Sequence, residues 1–112
     1  MDKKVHEAMN EQIKHELYSA YFYLSMSAYC DAANLPGFAK WLKVQAKEEQ
    51  EHAMKFYEHL LDRGEKVVLK AIEQPPVEFA SVKDIFTKVY EHEKLVTSLI
   101  NGIYTKAYEA KD

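Results

Sequence analysis

Breakers and cross-links are scarce in this chain. It has three glycines and three prolines in 112 residues, and none of the six lies before Pro36. The first thirty residues therefore contain nothing that would interrupt a helix. A single cysteine, Cys30, excludes an internal disulfide and is compatible with a reducing cytoplasm. No apolar run approaches the length of a membrane span, so no membrane association is expected. The opening segment MDKKVHEAMNEQIKHE is polar and has no apolar signal-peptide core. A net charge of −3 gives no reason to expect a nucleic-acid partner. Internal repeats and low-complexity stretches are also missing. With 47% hydrophobic and 29% charged residues, the chain reads as one soluble, cytoplasmic domain.

What is present is helical periodicity. Val5, Met9, Ile13, Glu16, Ala20, Tyr23, Ser27 and Cys30 recur at steps of three and four, with Leu17, Leu24 and Met26 widening the face. This predicts a first helix over about 3–32, close to 42 Å long at about 1.5 Å per residue. Asp31 to Gly37, with Asn, Pro and Gly in succession, is a short turn that reverses the chain. A second helix is predicted over about 38–63, with the stripe Phe38, Leu42, Gln45, Glu49, His52, Phe56 and Leu60, and with Gly64 placed for a left-handed cap. The stretch 64–81 is too long for a hairpin turn and carries Val67-Val68-Leu69, Ile72 and Pro75-Pro76. It reads as a crossover along the bundle, which leaves the third helix parallel to the second. Ser81 is the expected N-cap of that helix, over about 82–109, with Asp84 in its first turn. Its stripe is Ile85, Val89, Glu93, Val96, Ile100, Ile103 and Ala107; Gly102 within it costs about 1 kcal/mol relative to alanine.

Each apolar stripe carries one glutamate near its middle: Glu16, Glu49 and Glu93. On the second helix Glu49 and His52 stand three apart and share a face. An E-x-x-H spacing alone is common, and any one of these residues could be a surface group. Three at comparable height are harder to dismiss. Burying an ionised carboxylate costs several kcal/mol unless a positive charge compensates, and the second stripe holds no Lys or Arg. A hard or borderline cation would compensate, and Glu with His are ligands for iron, manganese or zinc. Carboxylates from separate helices joined by E-x-x-H form the arrangement of bundles that hold paired iron or manganese ions. Glu49 is the expected bridge, on the expectation that its helix faces both others.

Tyr23 lies two turns from Glu16 on the same face. It reads either as a core ring whose hydroxyl finds a carboxylate or as a group that bonds a ligand or supplies an electron. Glu48 could reach an auxiliary metal position, whereas Glu51 reads as solvated. His6, His15, His59 and His92 have ordinary neighbours in sequence. Trp41 and the remaining tyrosines read as packing or subunit-contact residues.

MNEQIKHELYSAYFYLSM, GFAKWLKVQAKEEQEHAMKFYEHLLDRG, EKVVLKAIEQPP and YEHEKLVTSLI together resemble ferritin of the non-haem prokaryotic kind. The resemblance spans nearly the whole chain in order. It implies an all-α, antiparallel four-helix bundle with a long crossover, of which these residues encode the first three helices. It also implies ferroxidase chemistry on Fe(II) with O2 or H2O2, at a di-iron centre. Glu16, Glu49 and His52 would hold the first iron, Glu49 and Glu93 the second, Tyr23 would stand beside the site, and Glu48 would belong to a third iron position. No haem is implied, and homo-oligomeric shells of twenty-four subunits storing ferric mineral are. The family's fourth helix would follow Glu109-Ala110-Lys111-Asp112, so the domain over 1–112 is expected to be incomplete. An apolar groove, lined by parts of Ile13, Ala20, Phe56, Val89, Val96 and Ile100, is then expected to stay open, and a well-folded free monomer is not expected. The alternatives are another di-metal carboxylate oxidoreductase of the rubrerythrin-like kind, or a truncated structural form without turnover. Val96, where a second E-x-x-H would need histidine after Glu93, argues against the former.

Overall fold

Flanking residues cap the starts of the first and third helices, while the second begins at a proline without a side-chain cap. The computed structural model describes residues 1–111, and among them the chain forms three α-helices and no strand; Asp112, the last residue of the expected domain, lies outside the described residues. Helix α1 spans Lys3–Ala32, and the Asp2 carboxylate accepts from the Lys4 and Val5 amides at its start. At its end Asn34 takes φ of 63°, and the Leu35 amide returns to the Cys30 carbonyl at 2.8 Å. Helix α2 spans Pro36–Asp62, two residues earlier than the expected start at Phe38, because a proline at the first helical position gives up no needed N–H. Gly64, at φ of 70°, closes it: its amide reaches Leu61, and the Glu65 amide reaches Leu60 at 2.8 Å. Helix α3 spans Val82–Ala110, with Gly102 inside it. The Ser81 hydroxyl accepts from the Asp84 amide, as expected of the N-cap, and the Asp84 carboxylate in the first turn also accepts from the Ala80 amide.

The segment between α2 and α3 runs back along α1. Asn10 fixes its lower end, accepting from the Val68 amide at 2.8 Å and donating to the Lys66 carbonyl at 3.2 Å. Lys70 pairs with Glu11, the Ser25 hydroxyl donates to the Pro76 carbonyl, and Phe79 is buried against the upper part of α1. The chain thus reaches the start of α1's last turns before α3 begins, and α3 descends parallel to α2.

α1 packs against both other helices, while the α2 and α3 backbones do not approach each other among the described residues. Two cores result. The upper one gathers Phe22, Tyr23, Met26, Leu42, Phe79 and Ile85. Its rim is closed between α2 and α3 by rings: Phe86 meets Phe38 edge-on at 5.2 Å and Trp41 at 6.2 Å. The lower core gathers Val5, Met9, Ile13, Ala53 and Leu60, with Phe56 and Ile103 half-buried beside it.

A groove of about 510 Å³ lies open along the lower core, walled by Val5, Met9, Phe56, Ile100, Ile103 and Ala107. Only Phe56 and Ile100 of the expected walls line it. Ile13, Ala20, Val89 and Val96 are buried, the two valines because α3 packs against α1 and Ile13 within the lower core beside α2. Phe38, expected on the core stripe, is 41% exposed, since its ring packs at the rim against Phe86. Among the described residues no helix is long and apolar enough to cross a membrane.

Candidate metal centre

The seam between the two cores is where the carboxylates meet. Glu16 stands midway along α1 and is fully buried, and Glu49 faces it from α2 at 4% exposure. His52, one turn after Glu49, completes the group. One donor atom from each lies within 4.8 Å of the others. His52 Nδ1 is 3.7 Å from Glu16 Oε2 and 3.6 Å from Glu49 Oε2. Those two carboxylate oxygens are buried and have no hydrogen-bond partner. Buried acceptors are nearly always satisfied, so two orphans aimed at one imidazole nitrogen mark a place for a cation.

Electrostatics agree with the geometry. Burial, then the neighbouring Glu16 carboxylate, then the charges of Glu93 and Glu48, push the Glu49 carboxyl up to about 9. Without a cation, Glu49 keeps its proton at neutral pH. A divalent ion would displace that proton and neutralise the pair. Two carboxylate oxygens and an imidazole suit iron, manganese or zinc, so the residues fit the ion that their pattern implies.

The other expected residues fall around this group in different ways. Tyr23 is fully buried, and its hydroxyl donates to Glu93 Oε1 from α3. Burial first, and then Glu93, Glu49 and Glu16, raise the tyrosine's pKa well above the ordinary phenol range, so it stays protonated and keeps donating. Glu93 is half-buried and stands outside the three-donor group, although its charge reaches Glu49. Glu48 is exposed and also outside the group. His52, expected on a buried stripe, has 47% of its side chain exposed, because its ring opens onto the groove. The expectation that α2 faces both other helices is corrected as well: α1 holds that position, and Glu49 senses Glu93 across the gap between α2 and α3.

Two residues escaped the sequence reading. Gln12 is buried and donates from Nε2 to Glu16 Oε1 at 3.0 Å. His92 bonds the Ser19 hydroxyl through Nε2 at 2.6 Å, and its ring stands edge-on to Tyr23 at 6.2 Å. Burial holds its pKa below the usual imidazole value. The available signals were an i, i+4 step from Gln12 to Glu16 and the adjacency of His92 to Glu93.

Known proteins resemble this chain in sequence and fold. The ferritin family, described as a ferritin-like domain, matches residues 6–112. A probable bacterial non-heme ferritin-like protein of Haemophilus influenzae is 42% identical over 112 residues, which is all of this chain and 68% of that protein. A bacterial non-heme ferritin of Campylobacter jejuni is 38% identical over all of this chain and 67% of its own length. Among solved structures, an open-pore ferritin from the archaeon Archaeoglobus fulgidus superposes with a TM-score of 0.98 at 46% identity, over 100% of this chain and 69% of that one. An engineered closed form of the Archaeoglobus fulgidus ferritin gives a TM-score of 0.97 at 46% identity, over 100% of this chain and 68% of that one.

Proposed function

Since the chain belongs to the ferritin-like family, we propose that it contributes to iron storage by oxidising Fe(II) at the seam between its two cores. Iron is here substrate and cargo. Glu16, Glu49 and His52 hold the first ion, and Glu49 and Glu93 the second. Glu49 is the bridge because the charges of both other carboxylates act on it. Each Fe(II) gives up one electron, so a pair supplies the two that take O2, with two protons, to the peroxide level. Oxygen-rich ligation favours iron(III), and hydrolysis of the ferric product yields the oxide to be stored. Tyr23 keeps Glu93 oriented by donating to one oxygen and leaving the other for metal. Glu48, exposed on α2, is a secondary iron contact at most one residue from the bridge.

The observation that carries this reading is the pair of buried, partnerless oxygens of Glu16 and Glu49 converging on His52. The test is to mix Fe(II) with air and follow the ferric-oxo absorption of paired irons. Glu49→Ala is expected to abolish that signal, and unchanged oxidation would remove Glu49 as the bridge.

The same reading includes self-association. Tyr21, Leu24, Leu69, Ile72 and Val77 are exposed apolar residues on α1 and the crossover, as suits a subunit contact. The native mass in solution decides it, since a monomer and a large shell differ many-fold.

A further inference from the structure

Gln12 is the only glutamine of α1 and sits on its most buried side, at 1% exposure, between Met9 and Ile13. An apolar residue of similar length would pack there without needing a partner. The amide needs one, and its Nε2 finds Glu16 Oε1 at 3.0 Å, one helical turn on. That bond fixes which oxygen is left over. Oε2 has no partner, and it is Oε2 that faces His52 Nδ1 at 3.7 Å. Tyr23 treats Glu93 in the same way, donating to its Oε1. Glu49 Oε2 likewise has no donor on it. The two oxygens that face His52 are thus both free, and on Glu16 the donor sits on the other one.

We propose that Gln12 is a positioning residue of the metal centre, holding the Glu16 carboxylate so that Oε2 is presented to a divalent cation. This rests on the metal-centre reading above. Without the amide, Glu16 rotates between orientations, and part of the binding free energy goes into ordering it. Loss of a partner that orients a metal ligand typically weakens metal binding about 10–100-fold.

Co(II), added without oxygen, is the probe, because its visible absorption reports coordination number and geometry. Gln12→Met keeps the side chain's length and apolar bulk but removes the donor. Gln12→Asn keeps an amide one methylene too short to reach, and gives the same reading should the thioether perturb folding. Both variants are expected to bind Co(II) about 10–100-fold more weakly, with an altered spectrum, beyond whatever the lost buried hydrogen bond costs in thermal unfolding. A merely structural glutamine would lower the unfolding temperature and leave the Co(II) affinity and spectrum as they were. Unchanged affinity and spectrum in Gln12→Met would overturn the proposal. Wild-type protein that takes up no Co(II), or Glu16→Ala that takes it up as well as wild type, would overturn the metal-centre reading beneath it.

Discussion

The upper and lower halves of this bundle use the same three helices and are closed to different degrees. Above the seam, α1, α2, α3 and the crossover all contribute to one core, and Phe38, Trp41 and Phe86 bridge the gap between α2 and α3. Below it, the gap stays open as a groove, with Phe56, Ile100 and Ile103 on its walls. The carboxylates stand at the boundary. Glu16 and His52 line the top of the groove, whereas Tyr23 and Glu93 reach them from the closed side. Closure on one side raises the cost of leaving the carboxylates charged and unpaired, and openness on the other keeps His52 accessible. A site that must hold a cation and also exchange it needs both conditions.

The comparison breaks first if the two cores respond alike to truncation. Leu42, at 1% exposure in the closed half, should cost about 2–5 kcal/mol when changed to alanine. Phe56, half-buried on the groove wall, should cost less than half as much despite its larger ring, since much of its face is already wet. Urea unfolding of the two variants, with metal chelated, measures the difference. Equal losses would mean that the groove is covered in solution.

A smaller effect sharpens the role of the seam. Glu49 is raised from 4.5 to about 9 in the folded chain, and burial is the first cause. Between those values the native state keeps a proton that the unfolded chain has released. Stability of the metal-free protein should therefore be highest at the acid end of that window and fall as pH rises through it. Glu49→Gln should flatten this slope, and a bound divalent cation should oppose it. Urea midpoints across the window, with chelator and then with Co(II), give both comparisons.

Tyr23→Phe probes the closed side more gently. The ring still packs, and only the donor to Glu93 is lost. A few-fold slower Fe(II) oxidation is expected, with a stability loss of about 1–2 kcal/mol. Collapse of the fold would assign the hydroxyl a structural role instead.

Much of this was legible from spacing. Every member of the α1 stripe from Val5 to Cys30 is buried, and Ser81 and Gly64 cap the helices as their residue types require. Of the three glutamates on apolar faces, Glu16 and Glu49 are buried at the seam, whereas Glu93 is half-buried and outside the three-donor group. Periodicity reports which face a residue is on, and it does not report which helix lies opposite. That is why α2 was expected to face both others, and why Val89 and Val96 were expected along a groove that α3 closes against α1. Gln12 was passed over because the stripe was followed from Ile13 to Glu16 by a step of three. The step of four from Gln12 to Glu16 is the one that carries the hydrogen bond.

The central claim is that two metal positions share Glu49 at this seam. Crystals soaked anaerobically in Fe(II), with diffraction recorded on both sides of the iron absorption edge, test it most directly. Two anomalous peaks about 3.5–4 Å apart are predicted, one among Glu16, Glu49 and His52 and the other between Glu49 and Glu93. Iron found only at exposed carboxylates such as Glu48 and Glu51, with none between Glu16 and Glu49, would contradict it.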